Sequence, residues 1–384
     1  MESCYRCHRP TGIGAENDCA CKNAFYCSAK CKTAHAKVHA PVCTVELRKQ
    51  IDLARKKFGP ESCDAADAIA RLAEVYDDHD KVHAAETGYV DALRIFGEHK
   101  KQERKIALIQ SKKANILLRA GRPEEALEDA KQSCKLLTAY HGGDSAKHQD
   151  IASCFIIEGE ALGALTRYQE ALEKLEKAYE MLKGLFGETH ELVAGALGSI
   201  ASVLVSKGKK TSAVKIYEKA IAIQRKTMGE ARVGASLLNL GRLYVETGEH
   251  EKGMIKLQEG LNIAKSTCGS KSLVTGKFLV NIGWAHTEMG HYNAAHDSLE
   301  AAVDLLKGVK GEDHEDVADA LYHLSICEMG MKDTFGAKSH VKEAHDILER
   351  RKGGEGCDDV KFERVSSASE RVCALMEQLE GESG

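Results

Sequence analysis

Proline and aromatic residues are scarce: four prolines and one tryptophan in 384 residues, with Phe, Trp and Tyr together only 5%. So few prolines leave little to interrupt helices. No run approaches the eighteen apolar residues of a membrane-spanning helix, so no membrane association is expected. The N-terminus, MESCYRCHRP, lacks a basic-then-apolar signal pattern, so the expected location is the cytoplasm, with the nucleus open. Low-complexity tracts are missing too, and 43% hydrophobic with 29% charged residues is too apolar for disorder. A large charge of one sign is also absent: the net is −4, with residues 1–58 at +6 and the remainder at −10. That basic excess is too small to argue for nucleic-acid binding on its own.

Cysteine is what the chain has in unusual measure. Half of its fourteen cysteines fall in the first 43 residues, in pairs: Cys4-x2-Cys7, Cys19-x-Cys21, Cys27-x3-Cys31 and His39-x3-Cys43. A reducing compartment disfavours disulfides, and a catalytic thiol would stand apart beside a base. Four ligand pairs suit two tetrahedral zinc sites. Two residues between thiolates make a knuckle; three place ligands at i and i+4 on one helix face. Short helices are therefore expected to start near Ser28 and Lys32. With every position protein-filled, the zinc is structural, and in so small a module it supplies most of the folding free energy.

The run YC-x3-C-x7-H-x3-C, at Tyr26, Cys27, Cys31, His39 and Cys43, resembles a MYND zinc finger. The resemblance implies cross-bracing: Cys4, Cys7, Cys27 and Cys31 on one zinc, Cys19, Cys21, His39 and Cys43 on the other. Cys19 stands one residue out of the family's C-x2-C register. His35, four residues from both Cys31 and His39, is a spare donor, so either could complete the second site. Lys32 and Ala36 occupy positions where the family has the Gln and Trp that help form its groove for proline-containing peptides.

From residue 59 one theme recurs. Anchored on the small residue after each turn, it gives Ala85, Ala126, Ala171, Ala213, Gly253, Ala295 and Ala337, spaced 40 to 45 residues apart. Twelve positions earlier stand Ala73, Ala114, Gly159, Ala201, Gly241, Gly283 and Ser325; seven later, Ala92, Ser133, Ala178, Ala220, Gly260, Ala302 and Ala344. Sixteen earlier the column is apolar except at Gln110. Small residues there let two antiparallel helices approach closely, and large ones fill the space between pairs. Gly121, Gly208, Gly248 and Gly290 are placed to end first helices.

This pattern resembles the tetratricopeptide repeat, and the period near 42, with GETH (187–190) and GEDH (311–314), is similar to kinesin light chains. The resemblance implies an all-α, right-handed solenoid of about seven helix pairs behind the small two-zinc finger. The expected boundaries are a finger at 1–43, a linker helix at 44–61, repeats at 62–352, and a capping helix and tail at 353–384. Gln110 and Lys113 stand at columns normally apolar. Cys63, Cys134, Cys154, Cys268, Cys327, Cys357 and Cys373 lack ligand spacing and read as ordinary core or surface residues.

Such an array offers no cofactor crevice, and no catalytic residue is assigned. The resemblance implies a concave wall of first helices that holds peptide segments. The positions expected to project inward carry Asn239, Arg242, Asn281, Trp284 and His323, with Lys277 one turn before Asn281. Asn can bond a ligand backbone through both halves of its amide, and Trp284 offers a flat anchor. The expected function is a non-catalytic adaptor that binds protein partners or peptides and takes no small-molecule substrate. The alternatives are a degenerate relative of MYND-containing lysine methyltransferases, without a SET domain, and a nucleic-acid-associated regulator acting through the basic finger.

Overall fold

The computed structural model describes the backbone of 29–352, except 79, 80 and 144, together with 374 and 377. Side chains are described from 44 to 350, omitting also 228 and 231. The chain divides into two units, Met1–Leu185 and Phe186–Gly384. Among the described residues every regular element is a helix.

The first unit holds α1 (Ala29–Phe58) and three helix pairs: α2 (Cys63–Asp78) with α3 (Val82–Gly97), α4 (Glu103–Arg119) with α5 (Pro123–Tyr140), and α6 (Gln149–Ala164) with α7 (Tyr168–Phe186). Helix α1 differs from expectation. A helix does start beside Ser28, at Ala29, but no second helix starts near Lys32 and no separate linker helix begins at residue 44; one thirty-residue helix covers all three stretches. The four-residue spacing of Cys31, His35, His39 and Cys43 places them on successive turns of one helix, so a single helix satisfies the same periodicity. Ile51 of α1 joins Ile69, Tyr89 and Phe96 in the core of the first pair.

The second unit holds four pairs: α8 (Glu191–Ser206) with α9 (Lys210–Met228), α10 (Gly234–Glu246) with α11 (His250–Thr267), α12 (Leu273–Glu288) with α13 (Tyr292–Lys310), and α14 (Glu315–Met331) with α15 (Thr334–Lys352). The capping helix expected within 353–384 lies outside the described residues, apart from helical backbone at 374 and 377.

Every anchor and both small columns are buried. The structure also shows what they face. A Cβ added to Gly159 would come within 2.5 Å of Leu175 Cγ, and one on Gly241 within 2.7 Å of Leu257 Cγ; Gly283 meets Leu299 in the same way. Each partner sits four residues after its anchor, in a column of Tyr89, Ala130, Leu175, Tyr217, Leu257, Leu299 and Val341, all buried. Small against large therefore interlocks the two helices of a pair.

In six repeats the end of the first helix is set by a left-handed residue. Five before the anchor, Gly121, Gly208, Gly248 and Gly290 have positive φ as expected, and Thr166 (φ 60°) and Lys332 (φ 65°) take the same conformation without being glycine. The next residue's N–H reaches back five positions, as in Arg167 to Leu162 O (2.9 Å) and Glu249 to Tyr244 O (2.8 Å), closing a Schellman cap.

Three of the first helices also share a start signal. His148, His190 and His314 cap α6, α8 and α14, each Nδ1 accepting from the backbone N–H two residues on at 3.1–3.2 Å. An N-cap acceptor occupies one of the unpaired N–H groups at a helix start.

Candidate functional site

In the second unit α12 neighbours both α10 and α14, so equivalent positions of three first helices lie side by side. Asn239 and Arg242 on α10 are exposed, while Asn281 and Trp284 on α12 and His323 on α14 are half-buried. This brings the expected residues onto neighbouring helices of one unit.

Their chemistry is partly committed to the protein itself. Asn281 Nδ2 donates to Lys277 O at 2.7 Å, which turns its amide back on its own helix. Trp284 donates Nε1–H to Glu288 Oε1 at 3.1 Å, and its ring packs against the core of Leu257, Leu261, Phe278 and Ile282. It therefore offers one ring face from a firmly seated base. Arg242 lies 4.0 Å from Glu246 on the same helix. Asn239 reaches the Tyr217 hydroxyl on α9, whose pKa burial raises above its ordinary value.

Lys277 stands apart from the other five residues. Its ammonium lies 3.6 Å from Asp316 at the start of α14. The first unit has the same register with the charges exchanged, Asp67 on α2 and Lys105 on α4 at 2.6 Å. Lys277 thus belongs to a pairing that links successive first helices, a role its sequence position did not reveal.

The corresponding columns of the first unit carry different chemistry. At those columns Glu74 of α2 pairs with Lys112 of α4, and nearer the ends of the same helices Asp77 pairs with Arg119. Opposite charges meet each other there, whereas α10, α12 and α14 carry amide, guanidinium, indole and imidazole. The polar residues at normally apolar columns are also accounted for: Gln110 bonds Gln132 at 3.0 Å and Lys113 pairs with Asp129 at 3.0 Å. Burial pushes the Asp129 carboxyl above its ordinary range, with Lys113 opposing the shift.

Of the expected zinc ligands, Cys4, Cys7, Cys19, Cys21 and Cys27 lie outside the described residues. Cys31, His39 and Cys43 fall on the backbone of α1, with their side chains outside the description. The donor set of seven thiolates and an imidazole within forty residues fits zinc, which prefers sulfur and nitrogen ligands. Farther along, Cys134, Cys154 and Cys327 are buried, Cys63 is half-buried and Cys268 exposed, all unbridged. Burial drives the Cys134 thiol up to about 12, so it is an inert core residue.

Residues 4–43 match the MYND finger model, and 157–226 and 232–308 match a tetratricopeptide repeat model. Over 212 residues the chain is 24% identical to the Arabidopsis thaliana protein KINESIN LIGHT CHAIN-RELATED 1, covering 54% of this chain and 33% of that one. The RxLR effector protein SFI4 of Phytophthora infestans is 24% identical over 192 residues, 49% of this chain and 56% of that protein. The chain thus spans a third to about half the length of these relatives. Among solved structures, a Rap protein complexed with competence and sporulation factor superposes with a TM-score of 0.60 at 16% identity, covering 84% of this chain and 85% of that one. At that identity the likeness speaks to fold alone. The chain carries a MYND finger at its N-terminal end and, behind it, tetratricopeptide repeats of the kinesin-light-chain-like type.

Proposed function

We propose that the protein is a non-catalytic adaptor that holds an extended or helical peptide segment of a partner across α10, α12 and α14. The observation that carries this reading is the placement of Asn239, Arg242, Asn281, Trp284 and His323 on neighbouring first helices of one unit. A half-buried indole with its N–H already satisfied is a preorganised apolar anchor, so little side-chain entropy is lost when it is covered.

The finger is proposed to hold two structural zinc ions and to offer a second protein-binding surface. With Lys32 and Ala36 in place of Gln and Trp, that surface would not take proline-containing peptides in the family's manner. Two modest sites on one chain raise effective affinity without any new contact. A cytoplasmic or nuclear location suits the reading, because reduced thiols stay available to zinc.

The test is affinity for a captured partner, first by the full chain and then by an Asn281→Ala, Trp284→Ala double variant. Loss of a central aromatic anchor costs about 2 kcal/mol or more, roughly thirtyfold in affinity. Unchanged affinity would remove the assignment.

A further inference from the structure

We propose that His141, His148 and Asp150, at the junction of α5 and α6, form a binding site for a divalent zinc-class cation, separate from the finger. Three donors converge there from two elements. His141 caps the end of α5, His148 caps the start of α6, and Asp150 lies in the first turn of α6. Their ligand atoms all lie within 4.8 Å of one another.

The spacing is informative. His148 Nδ1 stands 3.4 Å and His141 Nε2 3.8 Å from the same oxygen, Asp150 Oδ2. Both exceed the usual N–H···O range of about 2.7–3.2 Å. A zinc tetrahedron with bonds of about 2.0–2.1 Å has edges of about 3.3 Å, close to these separations. Asp150 Oδ2 and His141 Nε2 are also buried atoms without a hydrogen-bond partner. A buried, unpaired nitrogen and oxygen facing each other at this distance leave a place for an ion between them. Two imidazoles and one carboxylate make a three-ligand set, with water as the fourth ligand.

The same slot elsewhere shows what is particular here. After α7, Phe186 stands in the place of His141 and stacks on His190 at 4.4 Å, and Leu192 replaces the carboxylate. After α13, His314 lies 3.5 Å from Asp316, but Lys310 occupies the position of His141. Of these three slots, the one after α5 carries a donor at all three positions. The His141 and His148 rings stack with centroids 3.8 Å apart, so one ring tilts out of the stack when both nitrogens meet the ion, and Phe at 141 would keep the stack while deleting one ligand.

Two local groups compete with the ion. His148 Nδ1 accepts from Asp150 N–H at 3.2 Å and would exchange that cap for the metal. The Arg104 guanidinium lies 3.7 Å from Asp150 Oδ2 and would move off as the ion enters. Removing Arg104 should therefore tighten binding.

The experiment is zinc-binding stoichiometry of the full chain after equilibrium dialysis against buffered Zn²⁺, repeated with Co²⁺ for its visible spectrum. Wild type should hold one equivalent more than His141→Phe. The extra Co²⁺ should show visible ligand-field bands without thiolate charge transfer. Arg104→Ala should bind that equivalent several-fold more tightly, and Cys4→Ser should leave it in place. Asp150→Asn, with far-ultraviolet circular dichroism as a folding control, must also lose it. Equal stoichiometry in wild type and a folded His141→Phe or Asp150→Asn variant would overturn the proposal, as would an extra equivalent that disappears with Cys4→Ser.

Discussion

Glu328, a carboxylate only 2% exposed on α14, is held by His340 of α15, whose Nδ1 lies 2.8 Å from Glu328 Oε2. His296 of α13 approaches the other oxygen at 3.6 Å, so two histidines from neighbouring helices flank one buried charge. Glu300 stands 3.5 Å from His296 Nδ1, and Glu343, paired with Lys307, adds further charge beside His340. The hydrogen bond to Glu328 holds the His340 pKa above its ordinary 6.5. The stability this adds is fully present below about pH 6.5 and falls away as pH rises through the raised folded value. His141 and His286 are shifted down, chiefly by burial, and act in the opposite sense below 6.5. Denaturant unfolding from pH 6 to 8.5 should show a decline in stability that Glu328→Gln flattens. His340→Ala should cost roughly 1–3 kcal/mol at pH 6, because a buried acceptor loses its donor.

Thr166 is a β-branched residue in a left-handed turn where four other repeats have glycine. Relief of that strain outweighs the added freedom of the unfolded chain. Thr166→Gly should stabilise the protein by about 0.5–1 kcal/mol, read as a higher denaturation midpoint with an unchanged slope.

Gly253 is the single anchor that is not alanine, and the reason is local. A Cβ there would lie 2.6 Å from Val245 Cγ2 and 2.8 Å from the backbone oxygen of Gly241, an atom that cannot swing aside. Gly253→Ala should destabilise by about 1–2 kcal/mol, overpacking outweighing the gain in helix propensity. A rise in melting temperature would contradict that close approach of α10 and α11.

Zinc retention should separate the ligands of the finger. Cys27→Ser and His39→Ala should each lose bound metal, Cys19→Ser should lose metal from the second site, and His35→Ala should keep both ions. Metal analysis of the purified variants checks this. The loss should be large, since a structural site contributes on the order of 10 kcal/mol.

Much of the repeat was legible because its signal is steric. An invariantly small column has to face something large, so Gly159, Gly241 and Gly283 announced the helix pairs. The residues they receive, from Tyr89 to Val341, vary among Tyr, Ala, Leu and Val and so form no obvious column. The turns were half legible: glycine marks a left-handed residue, but Thr166 and Lys332 adopt the conformation under tertiary constraint. Gln110 and Lys113 weakened the pattern because their partners, Gln132 and Asp129, sit on the next helix, where linear spacing does not show them. In the candidate groove, helix and register were readable but commitment was not. That Lys277 pairs with Asp316 depends on a neighbour only the fold supplies, whereas Trp284 and Glu288 are an i, i+4 pair on one helix whose bond the spacing permits but does not announce.

The most direct measurement is calorimetric titration of a partner segment into the wild-type chain and into the Asn281→Ala, Trp284→Ala variant, with folding of the variant confirmed by circular dichroism. The peptide-holding face predicts a fall in affinity of roughly thirtyfold or more. Equal affinity, with both proteins folded, would contradict it.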